Sequence, residues 1–442
     1  MHADLGLSLV RTFGARAVAS LGGVVLLVVV ARDLGPEAVG GLALAQALLL
    51  GSSLLARGGM DNALMRYVGR DASSSYVFLY LWWAIRHGLI ISVPVSLLLM
   101  ALRGYIETWF DSPGLSSILL GIAFSVPAYV FSFLLSGFFK GIRMPATASL
   151  MENGSVSLLS ALFLWFWYAY YGEIGYAAIG WVHFLASLLV AFQGAGQLWL
   201  WNRSKRSVAP CGSDPVQYKD FKSTSRAFFV ATFANFMQTV VAIMIAGLLL
   251  SDVGLGLFKS AQQVGMFISF VLIVINAVFP PRFAMLYHEG DFKGLDSLAR
   301  RGALIGIILA LPPLSICLIF PAWVLGFLGD EFVRASSMLR VIALAQLVNV
   351  ATGSVGFLLN MTGHERLMRN IGLICNGFGL LGFWLFIPLW GPMGAALALA
   401  FILVVQNITA LLYVWKKLGI WTLPCPNFFA LIGIETEVKR AS

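Results

Sequence analysis

The sequence predicts an all-α polytopic membrane protein, with about twelve transmembrane helices in two pseudo-symmetric six-helix lobes. Three observations predict it. Of 442 residues, 59% are hydrophobic and only 11% are charged, far more apolar surface than a soluble domain of this size needs. The apolar residues fall into runs near twenty residues long, the length that crosses the hydrocarbon core. A basic stretch, NRSKRSVAPCGSDPVQYKDFKSTSR at 202–226, divides the chain, with strongly apolar sequence on both sides.

In order, the expected spans are 8–32, 37–61, 77–102, 115–139, 146–170 and 176–201, then 227–250, 256–279, 300–325, 334–360, 367–389 and 392–415. Gly35-Pro36-Glu37 and Gly391-Pro392 place proline at a helix start, where its missing N–H is harmless. Asp330-Glu331 places acid at another helix N-terminus, and Gly172-Glu173-Ile174-Gly175 makes a short connection. Pro94, Pro127 and Pro312-Pro313 lie inside spans and predict kinks. The first apolar run is too long for a cleavable signal peptide and lacks a small-residue cleavage pattern. The domains are therefore an N-terminal lobe 1–201, a basic linker 202–226, a C-terminal lobe 227–415 and a tail 416–442.

Lys and Arg alternate in abundance from loop to loop. Arg66, Arg70, Lys140, Arg143, the six linker cations, Arg282, Lys293, Arg300, Arg301, Arg366, Arg369, Lys416, Lys417, Lys439 and Arg440 share one side. Arg32, Arg103, Lys259, Arg334 and Arg340 stand on the other. This bias places both termini and the linker in the cytosol. The net charge of +9 then reads as a topology and lipid-contact signal rather than a nucleic-acid footprint. The four cysteines show no CxxC spacing, so neither a disulfide framework nor a metal site is suggested. There is no GxxxxGK[ST] loop, so direct use of ATP is not expected, and no cofactor is expected.

The halves echo one another. LGPEAVGGLALAQ at 34–46 and SDVGLGLFKSAQQ at 251–263 each carry an acid, closely spaced glycines and then glutamine. Internal repeats around a polar linker favour a two-lobe transporter.

Four stretches extend this to a family. ARDLGPEAVGGLALAQ, PPRFAMLYHEGDFKGLDSLARR, FLGDEFVRASSMLRVIALAQ, and NMTGHERLMRN with LWGPMGAALALA occur in that order along nearly the whole chain. Together they make the sequence resemble the oligosaccharide flippases of polysaccharide biosynthesis, within the multidrug and oligosaccharidyl-lipid exporter superfamily. The resemblance implies alternating access of two lobes in the cytoplasmic membrane. It implies a polyprenyl-diphosphate-linked oligosaccharide as cargo, turned from the inner to the outer leaflet. Membrane lipids and polysaccharide polymerase or export machinery are the partners it brings into question; nucleic acid is not among them.

Charged residues inside apolar spans are costly, about 3 kcal/mol each at a helix centre, and usually face a cavity or a partner. The N-terminal half holds Arg11, Arg16, Arg57, Asp61, Arg86 and Glu152, a cationic excess suited to a diphosphate. Other readings stand beside this one. Arg11 reads as a helix end snorkelling to the interface. Arg57 and Asp61, four apart, are open between a structural pair and a cavity pair. Arg16 and Arg86 are the deepest and read as functional. His87 and His183 read as packed core or interface histidines rather than proton carriers. The C-terminal half carries amides, among them Asn235, Gln238, Gln262 and Asn349, which suit sugar hydroxyls or ordinary interhelical hydrogen bonds. Trp165, Trp167, Tyr168, Tyr170 and Tyr171 read as an interfacial belt, with sugar stacking the alternative. In the tail, Trp421, Phe428 and Phe429 suggest a segment on the inner membrane surface.

Two other functions remain at this stage. A cation-coupled antiporter of the same superfamily would need a membrane-embedded carboxylate, for which Asp61 and Glu152 are the candidates. A membrane polymerase or ligase would be expected to carry catalytic residues in a sizeable outer loop, and the outer loops here are short.

Overall fold

The computed structural model describes residues 2–70, 74, 76–205 and 217–423; within its helices, the side chains of residues 2–13, 15–20, 204, 205, 231, 234, 235, 273, 274, 277, 278 and 281 lie outside the description. The described chain is helical and contains no strand. It divides into two compact units, Met1–Gly256 and Leu257–Ser442.

The first unit begins with α1 (His2–Arg57), α2 (Met60–Arg70), α3 (Val77–Phe110), α4 (Leu115–Gly141) and α5 (Pro145–Ser149). It continues with α6 (Asn153–Tyr171), α7 (Tyr176–Lys205), α8 (Tyr218–Phe236), a π turn at Met237–Val241 and α9 (Ala242–Leu249). Helix α10 (Asp252–Gly265) leads into the second unit. That unit holds α11 (Phe270–His288), α12 (Phe292–Ile319), α13 (Pro321–Gly326), α14 (Ser336–Thr352) and α15 (Val355–Met361). Two long helices, α16 (Glu365–Trp390) and α17 (Pro392–Leu418), close it.

Among the described residues, nine helices are long and apolar enough to cross a membrane. Many of their apolar side chains face outward: Trp82, Leu97, Trp109, Ile308, Phe378 and Leu389 are all more than half exposed. A soluble protein does not carry so continuous an apolar surface, whereas a bilayer covers it. Trp165, Phe166, Tyr170 and Tyr171 are exposed at the end of α6, as an interfacial belt requires.

Breaks occur where the chain chemistry forces them. Gly35 adopts φ 74°, ψ −171°, so α1 is two helices joined at a kink, with Pro36 opening the second. The helices continue through Pro94, Pro127 and the Pro312-Pro313 pair. Four expected spans are interrupted, the second at Gly58-Gly59 and the ninth at Phe320 among them. The fifth breaks between α5 and α6, so Glu152 is the N-cap residue of α6 rather than a residue inside a continuous span. The tenth breaks at Gly353-Ser354, where Gly353 has positive φ.

The interior of the first unit is rich in small residues. Ser96 of α3 donates to the Ala123 carbonyl of α4 at 2.5 Å, and Ser125, Ser132 and Ser160 return their hydroxyls to carbonyls four residues back. In lipid, close backbone approach and such hydrogen bonds replace the hydrophobic drive that packs soluble helices. The two stretches that echo one another in sequence also meet in space. A Cβ on Gly40 would overlap the Asp252 carbonyl, and one on Gly256 would overlap the Pro36 carbonyl. Their glycines permit a backbone-to-backbone crossing of α1 and α10.

In the second unit, α17 lies against α14 and α16, and α12 against α11 and α14. The beginning of the tail is part of this unit's core. Ile420 and Trp421 are buried, Trp421 meets Trp415 edge to face, and the Thr422 hydroxyl donates to the Thr352 carbonyl at 2.7 Å. This corrects the expectation for Trp421, since an indole with a packed aromatic partner gains more from the core than from an interface. Phe428 and Phe429 lie outside the described residues.

The Gly256 crossing gives a direct test. Gly256→Ala forces a methyl onto a carbonyl and is expected to destabilise the purified protein by about 1–3 kcal/mol. Gly196→Ala, at an exposed helical position with open space around it, is expected to be neutral or stabilising by up to about 1 kcal/mol. Thermal unfolding in detergent measures both.

Candidate functional site

The candidate site grows from the end of the basic stretch. Residues 218–226 form the first turns of α8 rather than a loop. Phe221 fixes them. It is fully buried among Tyr67 of α2 and Tyr80 and Trp83 of α3, with ring centroids 5.6, 6.0 and 5.8 Å away. Aromatic pairs at these separations add directional attraction to the area they bury. Two hydroxyl bonds set the register: Tyr67 Oη lies 2.8 Å from Thr224 Oγ1, and Ser225 Oγ donates to the Gly58 carbonyl at 2.6 Å.

Gly58 and Gly59 separate α1 from α2, both with positive φ. A Cβ on Gly59 would overlap the Ser225 carbonyl, so glycine lets α8 approach the break. Beside this break is a cavity of about 350 Å³, lined by Leu55, Gly58, Met60, His87, Lys222, Ser225, Arg226 and Phe229. Its lining carries two permanent cations and an imidazole, and no carboxylate. A larger cavity of about 480 Å³ between α16 and α17 has no charged lining residue.

The residues expected from sequence are distributed differently. Arg57 and Asp61 do meet: Arg57 Nη1 donates to Asp61 Oδ2 at 2.9 Å. They meet across the Gly58-Gly59 break rather than along one continuous helix face. Arg57 also donates through Nε to the Ser53 carbonyl and places its guanidinium 4.2 Å from the Phe133 ring centre. This arginine is engaged by three protein partners, which fits the structural reading of the pair. Glu152 accepts from Lys140 Nζ at 2.6 Å and from Ser136 Oγ at 3.1 Å.

Arg86 is exposed, nine residues into α3 from Val77, and makes no ion pair among the described residues. The side chains of Arg16 and Asn235 lie outside the described residues. Gln238 is half-buried in the π turn, a helix irregularity often found at functional positions. Gln262 is buried and accepts from Lys259 Nζ at 3.0 Å. Asn349 donates to Gln346 Oε1 at 3.0 Å within α14. Among the seven expected residues whose side chains are described, the structure joins only Arg57 and Asp61 to each other.

Three basic groups were placed otherwise by sequence. Lys222 and Arg226 counted as linker charges, yet they belong to a packed helix and face a cavity. Lys259 counted on the outer side, yet it lies seven residues into α10, inside an apolar helix. His87, expected as a packed core or interface histidine, is half-buried and lines the same cavity as Lys222. His183 is buried as expected, with Nδ1 3.2 Å from Ser160 Oγ. A pattern of Phe221 with Lys222, Ser225 and Arg226 at three- and four-residue spacing was the available signal for an amphipathic helix.

Comparison with solved structures shows which fold this is. An inward-facing multidrug resistance MATE family transporter of the MOP superfamily superposes with a TM-score of 0.69 at 16% identity, covering 93% of this chain and 98% of that one. The lipid II flippase MurJ, in an inward closed conformation, superposes with a TM-score of 0.70 at 14% identity, covering 92% and 87%. A MOP superfamily transporter from Pyrococcus furiosus gives 0.58 at 16% identity, covering 93% and 95%. At such identities the likeness is one of fold. No match is found among curated protein sequences. The model of the family described as polysaccharide biosynthesis protein matches residues 12–287. That match spans more than half of the chain, so this multi-pass helical membrane protein belongs to the polysaccharide biosynthesis protein family and has the fold of MOP superfamily transporters.

Proposed function

We propose that the protein is a transporter, not an enzyme, that moves a polyprenyl-diphosphate-linked oligosaccharide from the inner to the outer leaflet of the cytoplasmic membrane. In this reading lobes 1–201 and 227–415 alternate access, both termini and the 202–226 stretch are cytosolic, and amides such as Gln238 and Asn349 are available to sugar hydroxyls. Membrane lipids surround it, and polymerase or export proteins receive the product.

The observation that carries the reading is the charge left over in the first unit. Asp61 is held by Arg57 and Glu152 by Lys140. Arg86, Lys222 and Arg226 have no acidic partner among the described residues. Cations without an acidic partner are satisfied by water or by an anion, and a diphosphate supplies concentrated negative charge. The named flippase among the solved structures acts on lipid II, which is consistent with a lipid-linked cargo here.

A second reading, cation-coupled antiport, is favoured by one observation. Asp252 is buried, and its Oδ2 has no hydrogen-bond partner among the described residues. Such a carboxylate suits proton or sodium exchange, by itself or as the coupling element of a flippase.

Arg86→Gln keeps polarity and removes charge. It is expected to leave the protein at near-normal abundance and to lower export of lipid-linked sugar about 10- to 100-fold, the worth of one charge-assisted hydrogen bond. Arg86→Lys should recover part of it, lacking the planar fork. Complementation with expression measured in parallel checks both, and full export by the Gln variant would make this arginine structural. For the orientation, single cysteines placed at 219 and 173 in a cysteine-free background are labelled in intact cells with a membrane-impermeant maleimide. Labelling is expected at 173 and not at 219; the reverse pattern would invert the topology.

A further inference from the structure

We propose that the cavity between the α1–α2 break, α3 and α8 is a binding site for the phosphate or diphosphate of a membrane lipid, held by Lys222 and Arg226 with His87 beside them. The inference names the group recognised first if the transport reading holds, and it is argued from the cavity's own chemistry.

The site has the charge for this ligand and no internal means of discharging it. His87, Lys222 and Arg226 line one cavity without a carboxylate. The acid at the break, Asp61, is already bonded to Arg57. Three carbonyls around the end of α1 that could otherwise receive a cation already have protein donors. Gly58 N–H bonds the Leu54 carbonyl at 3.1 Å, Arg57 Nε bonds Ser53, and Ser225 Oγ bonds Gly58. Lys222 and Arg226 stand four apart on α8, where two like charges repel unless an anion lies between them. A phosphate group answers that arrangement, since guanidinium and ammonium donors both bind its oxygens.

Shape and depth restrict the ligand further. Leu55, Met60 and Phe229 form an apolar wall next to the cations. A soluble anion has no use for that wall; the first apolar segment of a lipid does. The cavity lies at the end of the unit that carries the basic loops. Gly69 near the end of α2 packs beside Gly141, next to Lys140 and Arg143. Basic pockets between helices on such a face are where anionic head groups bind. His87 is kept against the break by Gly58, where a side chain would crowd its Nε2 at 3.3 Å. Phe221, locked in its aromatic cluster, holds the rotation of α8 that puts Lys222 and Arg226 in the cavity lining.

The test is binding to the full chain reconstituted in nanodiscs of phosphatidylcholine, titrated by calorimetry with inorganic diphosphate and with farnesyl diphosphate. Wild type is expected to bind farnesyl diphosphate more tightly than inorganic diphosphate. Lys222→Gln/Arg226→Gln should weaken both by at least tenfold, and Lys219→Gln, on the same helix but outside the cavity lining, should change neither. Arg226→Gln alone, at an exposed position, is the fallback if the double variant fails to fold. Repeating the titration with a fifth of the lipid replaced by phosphatidylglycerol separates the sources. Undiminished farnesyl diphosphate binding assigns the site to a prenyl diphosphate, and suppression assigns it to bilayer phospholipid. Equal binding by wild type and the cavity variants, or no binding by wild type in either membrane together with no phosphatidylglycerol effect, would overturn the proposal. Binding without any sugar export would instead remove the transport reading and leave this site standing.

Discussion

The arrangement of the candidate site depends on one interaction, the burial of Phe221 among Tyr67, Tyr80 and Trp83. Without it, the first turns of α8 are a short, highly charged segment with little reason to be helical, since nine residues from Tyr218 to Arg226 include Lys219, Asp220, Lys222 and Arg226. The aromatic contact converts this segment into a docked helix, and the docked helix turns two cations toward the α1–α2 break. The glycines at that break are the other half of the constraint. They let α8 approach the backbone closely and leave Gly58's carbonyl free to receive Ser225.

A second consequence is the separation of structural from unsatisfied charge. Arg57 is bound by a carboxylate, a carbonyl and an aromatic face, so removing any one partner leaves a buried cation poorly compensated. The Lys140–Glu152 pair joins the end of α4 to the start of α6 and is about one-third exposed on both sides, where such pairs contribute little. Charge that is satisfied in this way holds helices together. Charge that is not, at Arg86, Lys222 and Arg226, is available to an anionic ligand.

Much of the fold was legible because bilayer physics writes itself into sequence. Long apolar runs gave the helices and Gly35-Pro36 gave the start of the second half of α1; Arg57 and Asp61 were expected on one helix face and instead pair across the Gly58-Gly59 break. The echo between 34–46 and 251–263 proved to be a pair of glycine contacts, Gly40 on Asp252 and Gly256 on Pro36. The candidate site was legible only in part. Lys140 and Glu152 are twelve residues apart and meet across α5, which no local pattern reveals. Lys222 and Arg226 were counted for their charge and so assigned to a loop, although Phe221 beside them carried the amphipathic signal. Gly58-Gly59 was visible as a breaker, but its role appears only once α8 is seen against it.

In the proposed function this chain moves a lipid-linked, phosphate-bearing sugar across the membrane. Proteoliposomes of the purified full chain, loaded with a fluorescent polyprenyl-diphosphate oligosaccharide in both leaflets, test it through the fraction accessible to an added membrane-impermeant quencher. The account predicts that, after outer-leaflet quenching, the remaining signal falls faster with protein than without, and that Arg86→Gln slows the fall about tenfold or more. No protein-dependent fall, together with ion-gradient-driven efflux of a small cationic dye that is lost in Asp252→Asn, would contradict it and favour the antiporter.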